Sequence, residues 1–227
     1  MKYSEFKKLV SLSKKEISGQ ILERHRDSIK VKKEKKVIDN LIRIIDATLD
    51  ICSKKSFQAM SIRDLSAASG LSRGALYSYF TNKEELLVLI QTQGREIAYQ
   101  VLIEQIAQGR DPLEKLRLAI QSHIYLSEAM RSWFYFTYIE ARNLPKDEQK
   151  RAIESELQTE KIFIDIINEG VEKKIFRDEN VELVAAVIKA MLQDWYLKRW
   201  KYRTRKVTVE EYADFVIHVA ESILLNK

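Results

Sequence analysis

The stretch Ser61-Ile-Arg-Asp-Leu-Ser-Ala-Ala-Ser-Gly-Leu-Ser-Arg-Gly-Ala-Leu-Tyr-Ser-Tyr-Phe80, followed by Thr-Asn-Lys-Glu-Glu-Leu-Leu87, decides the fold. Ser61 and Asp64 stand at the spacing of a capping box, so a short helix starts here. Ile62, Leu65 and Ala68 are expected on its inward face. Gly70 ends it, because glycine takes positive φ without a steric penalty. Ser72 caps a second short helix that is expected to run through Phe80. Leu71 and Leu76 pack it on the first, and Leu76 and Phe80 belong to the core. A turn at Gly70 gives the large crossing angle that projects the second helix outward. Its exposed residues are then Arg73, Ala75, Tyr77, Ser78 and Tyr79, with Gly74 leaving room for a partner's backbone. Asn82 caps a long helix from Lys83.

Before this stretch, Val37, Leu41, Ile44, Ile45, Thr48 and Cys52 recur at helical spacing over residues 33–55. After it, breaks fall at Gly109–Pro112, Asn143–Pro145, Arg177–Asp178 and Thr204–Thr208. The expected helices are 83–108, 112–130, 132–143, 146–176, 180–203 and 208–225. Pro112 sits at a first helical position, where its missing N–H costs least. With 6 Gly and 2 Pro in 227 residues, 45% of them apolar, an all-α protein is expected.

The net charge of +6 is uneven. Residues 1–90 carry +7 and residues 91–227 carry −1. A basic N-terminal part on a near-neutral body suits a phosphate backbone. Cys52 is the one cysteine, so no intramolecular disulfide forms, and it reads as a small buried hydrophobe. Residues 1–10 lack a signal-peptide core, and no apolar run reaches a membrane-spanning length of about 18 residues. The expected location is the cytoplasm, with no membrane partner.

The segment from Ile44 to Leu87 resembles the DNA-binding domain of the TetR family of repressors. The resemblance is carried by Ser61-Ile-Arg-Asp-Leu, Gly70-Leu-Ser-Arg-Gly-Ala-Leu-Tyr-Ser-Tyr-Phe and Asn82-Lys-Glu-Glu-Leu-Leu. Cys52, Ser56 and Met60 depart from the family's usual Phe, Gly and Thr. The resemblance implies a three-helix helix-turn-helix domain over 33–90, after a basic extension over 1–32 and before a ligand-binding and dimerisation domain over 91–227. It implies that Arg73 reaches a base edge or a phosphate in the major groove, where an Arg can grip guanine bidentately. Arg63 is a second base reader. Ser61, Ser72, Tyr77, Tyr79 and Lys83 are expected at phosphates, and Gly74, Ala75 and Ser78 complete the face. The implied partners are double-stranded operator DNA, a small-molecule effector and a second copy of the chain. The extension over 1–32 is expected either to reach flanking phosphates or to dock as a helix on the DNA-binding domain. Ser13 and Glu16 have capping-box spacing within it, ahead of a short stripe of Ile17, Ile21 and Leu22.

Two features stand out beyond residue 90. Trp133-Phe-Tyr-Phe-Thr-Tyr138 is aromatic around the whole helix, so burial on more than one side is expected, either as core or as the wall of an apolar cavity. Asp194 to Lys206 interleaves aromatic with basic residues, as a solvated helix end or as the mouth for an anionic headgroup. Its Trp-x-x-x-Arg-Trp run is similar to acyl-CoA-sensing members of the family. The expected ligand pocket therefore takes His123, Trp133, Phe134, Phe136, Tyr138, Trp195, Arg199 and Arg203. A fatty acyl-CoA or similar amphipathic anion is the best effector. A cationic drug is the rival and would want buried carboxylates, for which Glu140 and Asp194 are available; a constitutive DNA-binding module is the other alternative. The dimer interface is expected on Val181, Val184, Val187, Ile188 and Met191 with Phe215, Val216, Val219, Ile223 and Leu224.

Nothing points to an enzyme. His25, His123 and His218 lack metal-ligand spacing, and no Gly-rich phosphate loop or Gly-x-Ser-x-Gly elbow occurs. No catalytic residue, metal or cofactor is expected.

Overall fold

Six of the helices start where a side chain accepts from the first free backbone N–H groups. Ser61, Ser72, Asn82, Asp111, Asn180 and Thr208 all do so. The computed structural model describes residues 1–10 and 34–225, and among these there is no strand. Residues 3–10 are helical (α1). Then follow α2 Glu34–Cys52, α3 Ile62–Ser69, α4 Arg73–Leu76, α5 Lys83–Ile106, α6 Pro112–Ala129 and α7 Arg131–Glu140. A single 3-10 turn at Ala141–Asn143 leads to α8 Lys146–Glu172, α9 Val181–Leu197, α10 Arg199–Thr204 and α11 Val209–Leu224. The Ser13–Glu16 cap and the Ile17, Ile21 and Leu22 stripe lie outside the described residues.

Two expected helices are broken. The second helix of the helix-turn-helix is α-helical only to Leu76, and tighter bonds from Ser78 to Ala75 and from Tyr79 to Leu76 carry the chain on. The helix expected over 180–203 splits at Lys198 into α9 and α10. There Asp194 accepts from Lys198, Lys201 and the Tyr202 hydroxyl, which pulls the following turn back onto the end of α9.

The chain divides into two compact units that interleave in sequence. The first holds 1–10, 98–131 and 151–227. In it α11 packs on α6 and α9, and α9 packs on α6 and α10. The second holds 11–97 and 132–150, with α2 on α3 and α3 on α4. Its core includes Val37, Leu41, Ile44, Leu65, Leu76, Phe80, Leu86, Ile90 and Phe136. Burying each such side chain contributes about 1.5–3 kcal/mol. Gly94 and Trp133 show how tightly α5 and α7 meet in this unit. A Cβ at Gly94 would lie 1.6 Å from the Trp133 ring, whose Nε1 donates to Ile90 O at 2.9 Å.

Candidate nucleic-acid interface and effector site

The reading surface is built on a reciprocal cap. Ser61 Oγ accepts from Asp64 N at 3.1 Å, and Asp64 Oδ2 accepts from Ser61 N at 2.9 Å. Lys55 Nζ reaches the same carboxylate at 2.6 Å. The bond from Lys55 and then those from Ser61 hold Asp64 well below the usual carboxylate range. At the other end of α3, Gly70 takes φ 66°, in the left-handed region. Arg43 of α2 donates to Ser69 O at 2.6 Å, and Ser66 donates to Leu71 O at 2.6 Å, so the turn into α4 is held from both sides. Arg43 was not among the expected residues, since a lone Arg on a helix carries no sequence signal of a cap.

The resulting surface leaves Ser61, Arg63, Ser72, Arg73, Gly74 and Tyr77 exposed, with Ala75, Ser78 and Lys83 half-buried. Two expectations fail here. Tyr79 is 7% exposed, against 51% for Tyr77, and its hydroxyl accepts from Asn40 Nδ2 at 2.8 Å. The tightening of the chain after Leu76 turns Tyr79 inward onto α2. Ala68 is exposed instead of core, and Ser69 takes the inward place, donating to Leu65 O at 2.6 Å. Lys83 folds back onto the loop before α3. Its Nζ donates to Gln58 O at 2.9 Å and lies 5.1 Å from the centre of the Phe57 ring.

That loop is also gripped by α7. Phe57 stands edge-on to Phe136 at 5.8 Å, and Glu140 accepts from Phe57 N at 3.3 Å and from Asn143 Nδ2 at 2.6 Å. Cys52 is half-buried, and burial followed by the charge of Glu140 pushes its thiol up to about 11.

The expected ligand-pocket residues fall in both units. Trp133, Phe134, Phe136 and Tyr138 belong to the unit that carries α3 and α4, and His123, Trp195, Arg199 and Arg203 to the other. Trp133, Phe134 and Phe136 are buried, whereas Tyr135 and Tyr138 are exposed, so the aromatic run is not enclosed all round. Trp195 is fully buried, stacked on Tyr212 at 4.8 Å and tilted on Tyr202 at 5.1 Å. Arg199 lies 4.2 Å from the Trp195 ring, and its Nε donates to Glu128 at 2.9 Å. Trp195 Nε1 donates to the same carboxylate at 3.1 Å. Arg199 is thus paired with Glu128, and Lys198 and Lys201 share Asp194, so two carboxylates stand against the six basic residues between 198 and 206. Arg203 is exposed. The two carboxylates that a cationic ligand would want are both committed, Glu140 to Phe57 and Asn143, and Asp194 to its three donors. His123 is buried.

The expected dimer stripes also divide. Val184, Ile188, Val216 and Leu224 face the core of their own unit, while Val187 and Phe215 are exposed, together with Leu183, which had not been expected. α9 is apolar on two faces, so its sequence does not say which is covered within the chain. Between the outward faces of α9 and α11 opens a groove of about 670 Å³, lined by Val187, Met191, Val207, Tyr212, Phe215 and Val216 among others. None of the eight expected pocket residues lines it.

An outward Arg73 and Tyr77 on a capped, glycine-ended helix pair, joined to a helical body, define a helix-turn-helix transcriptional regulator. The profile described as bacterial regulatory proteins, tetR family, matches residues 44–90, and that of the tetracyclin repressor-like C-terminal domain matches residues 109–223. The chain belongs to the TetR family. It is 27% identical over 172 residues to the HTH-type transcriptional repressor KstR2 of Mycobacterium tuberculosis, covering 69% of this chain and 78% of that one. It is 22% identical over 187 residues to the fatty acid metabolism regulator protein of Bacillus subtilis, covering 82% and 96%. Among solved structures, AibR in complex with isovaleryl coenzyme A and operator DNA shares the fold. That match has a TM-score of 0.69 and 18% identity, over 79% of this chain and 97% of that one. No described helix is long and apolar enough to cross a membrane.

Proposed function

We propose that this chain is a cytoplasmic repressor that binds a palindromic operator as a homodimer and is released by an amphipathic anion, with a fatty acyl-CoA as the best candidate. The observation that carries the DNA half of this reading is the exposed set of Arg63, Arg73 and Tyr77 around the capped turn at Gly70. Arg73 and Arg63 read base edges, while Ser61, Ser72 and Tyr77 position the chain on phosphates. In this reading residues 33–90 are the DNA-binding domain and residues 91–227 the ligand-binding and dimerisation domain. The choice of effector leans on the relatives: one is a fatty acid metabolism regulator and another was solved with isovaleryl coenzyme A. The commitment of Glu140 and Asp194 to protein donors counts against a cationic drug.

The groove between α9 and α11 is the surface for a second copy. An exposed Phe215 on its rim suits a two-fold contact in which each copy fills the other's groove. Coupling runs through α7, whose Glu140 and Phe136 hold the loop that enters α3. A ligand that favours a different placement of α7 changes how α3 and α4 are presented. It acts only to the extent that it binds that state more tightly.

The test is titration of acyl-CoAs, free fatty acids and cationic dyes against a preformed complex with an operator selected from random DNA, followed by fluorescence anisotropy. Release by acyl compounds is expected. Release by dyes alone would refute the effector class and leave the repressor intact, and failure to select any operator would refute the repressor.

A further inference from the structure

The inward face of α9 is apolar except at one position. Val184, Ala185, Ile188, Leu192 and Trp195 are buried along it, and so is Lys189, which is only 4% exposed. Its Nζ lies 3.1 Å from Glu156 Oε1 on α8. That same oxygen accepts from Gln193 Nε2 at 2.8 Å, and the Glu156 side chain is 49% exposed. A buried ammonium is therefore matched by a carboxylate that is shared and half in water. Such a pair recovers only part of the cost of taking the ammonium out of solvent, and an apolar side chain of the same length would hold the core as well.

A second polar group lies in the same interior. His123 on α6 is buried, and burial first, then the nearby charge of Lys189, pushes its imidazole well below its ordinary value. It stays neutral at physiological pH, with one ring nitrogen able to donate and the other to accept. Ser122 and Ser127 on the same helix are buried as well. α6 and α9 pack directly on each other in this unit.

We propose that Lys189 and His123 form the polar end of the effector site and receive a carboxylate of the ligand inside the α6–α9 interior. The proposal rests on the effector-released reading given above and adds a position and a chemistry to it. Lys189 exchanges Glu156 for the ligand carboxylate, a trade of a half-hydrated partner for a buried one, and Glu156 returns to solvent. Neutral His123 adds a hydrogen bond without adding charge. The carboxylate can belong to a free fatty acid or to the far end of a diacid carried as its mono-CoA thioester. A plain acyl-CoA, whose chain ends in a methyl group, offers Lys189 nothing.

The experiment compares decanoate, sebacoyl-CoA and decanoyl-CoA as releasing agents on the wild-type protein bound to its selected operator. The expected result is release by decanoate or by sebacoyl-CoA at a concentration at least tenfold below that needed with decanoyl-CoA; which of the two acts identifies the source of the carboxylate. Lys189→Met, checked for folding by thermal unfolding, is expected to abolish that preference. Release by decanoyl-CoA at an equal or lower concentration overturns the proposal and leaves an acyl-released repressor standing. Release by none of the three overturns both. The wild-type comparison decides the matter even if Lys189→Met fails to fold.

Discussion

Phe6 stands edge-on to Tyr125, with ring centres 5.7 Å apart and planes at 71°, and Tyr3 meets the same ring at 5.4 Å. Phe6 and Val10 are fully buried by this docking. The start of the chain is thus held by α6 of the unit that also carries α9 and α11, a placement that neither reading of the extension, as a phosphate-reaching arm or as a helix on the DNA-binding domain, had anticipated. The rest of that extension, residues 11–33, lies outside the described residues.

Removal of the first ten residues should therefore cost stability and leave the salt dependence of operator binding unchanged. Phe6→Ala alone should destabilise the protein by about 3 kcal/mol, the lower range for a buried Phe lost to Ala. Urea unfolding measures the first effect. A plot of log affinity against log salt measures the second, and a shallower slope in the truncated protein would show that these residues reach phosphates.

Tyr77 and Tyr79, two residues apart, should separate binding from stability. Tyr77→Phe and Arg73→Ala are expected to weaken operator binding with unfolding midpoints unchanged, Arg73→Ala by about 1–3 kcal/mol with relaxed specificity at one base pair. Tyr79→Phe leaves Asn40 without its 2.8 Å partner and should cost about 1–3 kcal/mol of stability while the affinity of the folded protein holds. Anisotropy and urea unfolding on the three variants check both claims. Equal loss of affinity for Tyr77→Phe and Tyr79→Phe would contradict the burial of Tyr79.

Gly94→Ala should act on DNA binding from a distance. The added methyl group occupies the Trp133 ring position, so the ring leaves Ile90 O and α7 shifts. Overpacking of this kind costs about 1–3 kcal/mol. Since Glu140 and Phe136 on the same helix hold the loop before α3, operator affinity is expected to fall together with stability. A stability loss with no change in affinity would argue against coupling through α7.

His123 should make the protein acid-sensitive. Its folded-state value lies well below 6.5, because burial and then Lys189 oppose its charge. Below about pH 6.5 the unfolded chain takes up a proton that the folded chain refuses. The stabilising effect is whole above that pH and is lost as pH falls toward the folded-state value, by up to about 1.4 kcal/mol per pH unit. Urea unfolding between pH 7 and 5 should show this slope in the wild type, and His123→Leu should flatten it.

Phe215→Glu should yield a folded monomer in light scattering, because Phe215 is 61% exposed and contributes little to its own core. A dimer that survives the substitution would place the subunit contact elsewhere than the groove between α9 and α11.

The DNA-binding half was legible because its signals are local. The caps at Ser61, Ser72 and Asn82 and the left-handed Gly70 depend on residues three or four apart, and all four occur as read. The family resemblance rested on that same short segment. Beyond it Gly109, Pro112 and Pro145 marked two of the breaks, whereas the break at Lys198 depends on Asp194 gathering donors from the next turn. What only the tertiary structure decided is which side of each helix meets another. Tyr79 turns inward because Asn40, thirty-nine residues earlier, offers it a hydrogen bond. Arg199 pairs with Glu128, seventy-one residues away, and lies over the Trp195 ring, which its neighbours in sequence do not reveal. Lys189 looks like an ordinary surface lysine in sequence and is buried because α6 and α9 close around it. Charge and aromaticity are properties of a residue, but exposure and pairing belong to contacts between distant parts of the chain.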